Sequence, residues 1–223
     1  MKSNWKKLLP LLGVLLVSSV SFAGGVGLDV EPYVGYQFLG NVGTSAQFKA
    51  PNTNATFSSL GLGLRANVKF LDMFFAGPDF SWYQGLSANQ PDYTASNGSA
   101  LSNMKVTNGN QTKLGLVAGV QLPMSFRVWV GYNFLDNMSS TVDGAVLGTT
   151  FSGKNALTGS SFKIGAGYNF WSMLNVNAEY FFQSYAASTF NANVVGMGNV
   201  PISVAAQTSN QLLLTVSAPL NLM

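Results

Sequence analysis

The residues able to do chemistry are few, and they fall into scattered pairs rather than one cluster. The 223-residue chain contains no histidine and no cysteine. That removes the commonest general base, the commonest metal ligand and every thiol reaction. What remains is carboxylates and cations: Asp29 and Glu31, Arg65 and Lys69, Asp79, Lys113, Arg127, Lys163 and Glu179. Carboxylate-only catalysis needs two acids converging on a cleft. Asp29 and Glu31, two positions apart, share one wall of a strand instead. No phosphate-cradling glycine loop, basic cluster or metal-ligand spacing accompanies them. The sequence therefore predicts ion pairing, with no catalytic residue, no metal, no cofactor and no nucleic-acid partner.

The elements that must position these charges are strands. From Leu60, alternate residues read Leu60, Leu62, Leu64, Ala66, Val68, Phe70, then Phe74, Ala76, Pro78, Phe80 and Trp82. The interleaved set is Gly61, Gly63, Arg65, Asn67, Lys69, then Phe75, Gly77, Asp79, Ser81 and Tyr83. Alternate residues of a strand face opposite sides, so this is a hairpin with one apolar and one polar face, turning at Leu71-Asp72-Met73. A turn centred there sets Phe70 against Phe74 and Arg65 against Asp79.

Six more segments repeat the alternation, near 26–38, 112–122, 126–136, 160–170, 174–185 and 210–222. Each has about the ten-residue length that a tilted strand needs to cross a bilayer. Tight turns (71–73, 123–125, 171–173) alternate with long polar links near 39–57, 85–111, 137–159 and 186–209. Links this long are unusual in a compact soluble sandwich. All nine charges named above lie on the polar faces, while Asp136 and six others are expected in turns, loops or strand ends. Pro32 and Pro78 fall on apolar faces, where each removes a ladder donor and predicts a local break.

Composition decides which face meets which solvent. Residues 1–23 read as a cleavable signal peptide, with Lys2, Lys6 and Lys7 before an apolar run and Ser21-Phe22-Ala23 at the cleavage point. The formal net charge of +3 comes from 11 bases and 8 acids. Removing the three leader lysines leaves a mature chain, 24–223, that is neutral and far below the roughly 25% charge of soluble domains. No apolar run in it has the length of a membrane helix, so low charge and strict alternation point to a transmembrane β-barrel. A soluble barrel with its apolar face inward shares the alternation but leaves the charge scarcity unexplained.

The apolar-face aromatics collect at strand ends. Tyr36, Phe38, Phe80, Trp82, Tyr132, Phe134, Phe162, Tyr180 and Phe182 fall toward the long links. Phe70, Phe74, Phe126, Tyr168 and Phe170 fall toward the tight turns, with aliphatic residues between. These are the expected membrane-interface girdles. The fold class is therefore all-β, an eight-stranded antiparallel up-and-down barrel with short periplasmic turns and long extracellular loops.

In this pattern, with Gly-Tyr-Gln-Phe at 35–38 and Gly-Tyr-Asn-Phe at 131–134 and 167–170, the mature chain resembles the small eight-stranded bacterial outer-membrane barrels, among them the OmpA transmembrane domain, OmpX and OmpW. The resemblance implies an outer-membrane location in a Gram-negative envelope. It also implies contact with outer-membrane lipid and lipopolysaccharide, insertion by the barrel-assembly machinery, and a monomer. One departure is the ending Leu220-Asn221-Leu222-Met223, where such barrels usually finish on an aromatic residue. No wall-binding domain is expected after the last strand.

Eight strands leave an interior that side chains fill. Tyr33, Phe75, Tyr83, Trp129 and Phe181 are its bulky occupants, with inward glycines making room. The predicted ion pairs are Arg65–Asp79, Glu179–Lys163, and Asp29 or Glu31 with Lys69 or Arg65. The functional expectation is a structural or surface-interaction barrel whose four mobile loops meet an extracellular ligand. Phe48, Phe57, Tyr93, Phe151, Phe190, Val194, Val195 and Met197 are the apolar residues that such loops would offer. A narrow porin-like conduit for ions or small solutes, lined by the same lumen residues, is the alternative left open.

Overall fold

The structure, a computed structural model, describes residues 26–40, 48–49, 56–71, 73–89, 93–95, 100–146, 149–171, 173–196, 198–204 and 206–222. The proposed signal peptide lies outside the described residues. Eight antiparallel strands form the wall: β1 (Val26–Gly40), β2 (Thr56–Phe70), β3 (Phe74–Asn89), β4 (Ala100–Gln121), β5 (Phe126–Val146), β6 (Thr149–Trp171), β7 (Leu174–Tyr185) and β8 (Gln207–Ser217). Each pairs with the next in sequence, and β8 returns to β1 through Tyr33↔Ser217 to Gly40↔Asn210, closing the ring. Closure is what removes the two free edges that an open sheet would present.

The hairpin from which the register was predicted pairs Phe70 with Phe74 and Arg65 with Asp79. Both prolines sit at ladder breaks. Beside Pro32 the β1–β8 pairing lapses between Tyr33 and Val30, and Ala218 N–H donates instead to the Pro32 carbonyl at 3.0 Å. The chain then rejoins β1 at Leu220–Asn221. Beside Pro78 the β2–β3 pairing lapses between Arg65↔Asp79 and Val68↔Ala76. The register is the same on both sides of that gap, so the missing N–H costs a local ladder bond and nothing more.

Three findings correct the sequence reading. The strands are longer than the alternation implies, since β4, β5 and β6 have 22, 21 and 23 residues. Most of the proposed 137–159 loop is the continuous β5–β6 ladder, which reaches Val146↔Thr149. The 186–209 link holds a further hairpin, Ser188–Val194 against Gly198–Val204, whose first strand pairs with β6. In these extensions Ser, Thr, Asn and Gly interrupt the apolar positions, so the amphipathic signal fades while backbone pairing continues. At about 3.3 Å per residue β5 is about 70 Å long, more than twice the roughly 30 Å of a hydrocarbon core even before tilt is counted. Of the loop apolar residues, the side chains of Phe48, Phe57, Tyr93, Phe190 and Met197 lie outside what is described. Val195 is exposed, and Phe151 and Val194 are half-buried.

The third correction is Asp136. Expected among turns, loops and strand ends, it lies inside β5 and is fully buried in the lumen. One extra residue in β5 shifts the β5–β6 register between Asn133↔Ser161 and Asp136↔Gly159. This bulge reverses the parity of everything beyond it, so Asp136 and Met138 point inward where the unbroken alternation would have faced them out.

Candidate functional site

The inner wall is built from the residues that the alternation leaves opposite the apolar stripe. Bulky rings are seated over glycines of the neighbouring strand. Gly61 lies under the Tyr83 ring, which pairs directly across from it, and Gly165 lies under the Trp129 indole. A Cβ at either position would overlap that ring, so only glycine permits the approach. Tyr83, Phe181 and Leu213 form one buried cluster, Phe75, Val117 and Trp129 a second toward the tight turns, and Met138, Leu157 and Tyr185 a third toward the extensions.

Between these plugs the charges are stacked in tiers along the axis. At the turn-side mouth Lys69, partly exposed, pairs with Asp29. One tier inward, the Arg127 guanidinium grips Glu31 with both terminal nitrogens, donating to Oε2 at 2.7 Å and to Oε1. Ser217 donates to the same carboxylate, and Arg127 Nη2 also donates to the Asn177 amide oxygen at 2.6 Å. Such a two-pronged contact fixes orientation as well as charge.

The central tier is a four-membered network. Arg65 pairs with Glu179 and lies 3.5 Å from Asp79 and 3.8 Å from Glu31. Lys163 pairs with Asp79 and, at 3.0 Å, with Glu179. Tyr33 donates its hydroxyl to Asp79 at 2.9 Å, and Trp129 Nε1 donates to Glu179 at 3.2 Å. The Arg65 guanidinium also sits 5.0 Å from the Trp129 ring centroid, within cation–π range.

The outermost tier is organised by Asp136, which the sequence reading left off the polar face at a strand end. Asp136 accepts from Gln111 (2.8 Å), Gln183 (2.8 Å) and Tyr185 (3.1 Å) and lies 3.8 Å from Lys113. Lys113 donates to Gln211 at 2.5 Å, with Phe181 stacked 3.7 Å beneath its ammonium. With Asp136 included, five acids face five bases among the described lumen residues. The polar-face count of four against five omitted the partner of Lys113. The contacts that span the lumen, Arg127–Glu31, Arg65–Glu179 and Lys163–Asp79, were also not among the predicted pairs. Nothing in a linear pattern says which inward residues meet across the axis.

Chemically this arrangement pairs charge across the lumen. Each of the five described lumen carboxylates, Asp29, Glu31, Asp79, Asp136 and Glu179, lies within 4 Å of a cation. Among the described residues no group of three or more acids could hold a metal ion.

The outer wall carries the fourteen aromatics named from the sequence. Tyr36, Phe38, Phe80, Tyr132, Phe134, Phe162, Tyr180 and Phe182 are exposed toward the extensions, with Trp82 half-buried among them. Phe70, Phe74, Phe126, Tyr168 and Phe170 are exposed toward the turns. Tyr132 and Phe182 flank Phe162 in register, and the Phe126 and Tyr168 rings meet at 4.9 Å.

No protein-family model and no curated protein sequence matches this chain. Solved structures do. Ail, the attachment invasion locus protein of Yersinia pestis, is similar at a TM-score of 0.51 and 8% identity, over 87% of this chain and 99% of that one. The outer membrane protein OprG from Pseudomonas aeruginosa gives a TM-score of 0.49 and 13% identity over 88% and 98%. A major outer membrane protein from Thermus thermophilus gives 0.48 and 8% over 85% and 99%. Together with the closed ring of eight strands, the first of these assigns the chain to the fold of the small outer-membrane β-barrels.

Proposed function

We propose that this protein is an outer-membrane barrel with a side-chain-filled, non-conducting lumen, and that it works at its outer surface by presenting the strand extensions of β4, β5 and β6 to the exterior. The observation that carries the reading is the tiered ion-pair network, which crosses the lumen at successive levels between buried aromatic plugs. Three buried pairs in succession leave an ion no continuous wet path, and opening one requires uncoupling charges that are costly to leave alone. The low charge, the aromatic girdles and the apolar outer wall support the outer-membrane location. Export by the 1–23 leader, insertion by the barrel-assembly machinery and a monomeric state belong to the same reading. No enzymatic step enters it, because the chain lacks histidine and the described lumen acids are each held by a cation.

Planar-bilayer recording of the purified, refolded protein tests this. The expected trace is silent at moderate voltage. Steady openings of defined size would overturn the filled lumen in favour of a narrow conduit for ions or small solutes.

A further inference from the structure

Just beyond the loop-side aromatic girdle, the outward positions change character all at once. On β3 the residue after Trp82 on the outer face is Gln84, and it pairs with Asn110 of β4. Thr112 of β4 pairs with Asn137 of β5, and Asn137 with Thr158 of β6. Ser160 of β6 pairs with Ser184 of β7, and Ser184 with Thr208 of β8. These residues face away from the lumen and are exposed, except Thr112 and Ser160, which are half-buried. The collar is continuous across six strands, and every member is a neutral amide or hydroxyl.

The absence of charge here is informative because the interior shows that the chain has charges to place. Of the lysines and arginines whose side chains are described, only Lys154 faces outward beyond the girdle. It lies four residues past Thr158, about 13 Å further along the strand. A lipid layer whose headgroups carry phosphates at this depth would be met best by Lys or Arg. Asn, Gln, Ser and Thr both donate and accept, which is what a polyhydroxylated sugar offers in return.

From this register-matched collar we infer that the protein seats the neutral sugar headgroups of membrane glycolipids around its wall, in preference to phosphate-bearing ones. This rests on the reading that the apolar stripe below the collar is lipid-covered. The collar continues that stripe without a gap, so whatever lipid packs its tails on Phe162 and Phe182 places its headgroup beside Thr158, Ser160 and Ser184. The preference concerns the lipid's own headgroup and not a soluble saccharide.

The test uses the full mature chain refolded into phosphatidylcholine vesicles doped with either a digalactosyl diacylglycerol or phosphatidylglycerol. Lipid retained on the extracted barrel is then measured by native mass spectrometry. The expected result is enrichment of the digalactosyl lipid over its bulk fraction, with phosphatidylglycerol at or below its own. The triple variant N137A/T158A/S184A should fold equally well in plain phosphatidylcholine and retain on the order of 10-fold less glycolipid, as loss of one to two net hydrogen bonds implies. The variant T158K should gain phosphatidylglycerol. Equal retention of both lipids by the native protein, preference for the anionic one, or undiminished glycolipid retention by the triple variant would each overturn the inference. Failure of the native chain to enter any bilayer would count against the membrane reading itself and is read separately, from heat-modifiable gel mobility.

Discussion

The two walls of the same eight strands obey opposite rules. Along β5, Arg127, Trp129 and Asn133 are buried and hydrogen-bonded, while Phe126, Val128, Val130, Tyr132 and Phe134, one residue out of phase, stand exposed on the outer wall. A soluble barrel has the reverse arrangement. The difference teaches that polarity here does not mark the surface. The solvent outside is the apolar one, and the buried ion pairs of the described strands lie in the lumen.

Substitutions that strip one wall of its rule should be costly in proportion to how many partners they strand. The largest effect is expected for Arg65→Ala, which removes the cation facing Glu179, Asp79 and Glu31 together. Reversible urea unfolding in vesicles should show a loss of about 3–5 kcal/mol. Asp79→Ala in that background should cost clearly less than it does alone, because Lys163 still has Glu179. Fully additive losses would mean that the central tier is a set of independent contacts.

On the outer wall, Val130 sits midway between Phe126 and Phe134 and is half-exposed. Val130→Lys should cost about 2–4 kcal/mol in a bilayer, the range for a cation at the membrane midplane. In an aqueous wall the same change would be close to neutral. Putting a side chain where a ring already lies is next. Gly61→Val pushes against Tyr83 and should cost about 1–3 kcal/mol, as over-packing does elsewhere. Smallest is Trp129→Phe, which keeps the ring over Gly165 but loses the Nε1 donor to Glu179, about 1 kcal/mol.

The barrel was legible because alternation is a local signal and the two faces of each crossing differ so sharply. The pairs Arg65–Asp79 and Glu179–Lys163 were legible for the same reason, since hairpin register brings neighbours within reach. Three kinds of feature were not. Arg127 and Glu31 are 96 positions apart and meet only because the ring closes, and closure leaves no mark on any one strand. Asp136 was hidden by a single inserted residue, although Phe134-Leu135, two apolar residues in succession, was the one signal that the alternation had slipped there. The extensions of β4 to β6 escaped because Ser, Thr, Asn and Gly break up the alternation along strands that stay paired, and such runs look like loop.

The chain has no cysteine, so single cysteines can report which solvent each position meets. The most direct measurement is a spin-label scan at Phe126, Val128, Val130, Tyr132 and Phe134 in phosphatidylcholine vesicles, with inward Ser161 as reference. Collisions with membrane-dissolved oxygen should exceed those with a water-soluble nickel chelate at all five, most of all at Val130, and both should be low at Ser161. A nickel response at Val130 as strong as at an exposed aqueous site would contradict the account, because the apolar stripe would then not be the face that meets lipid.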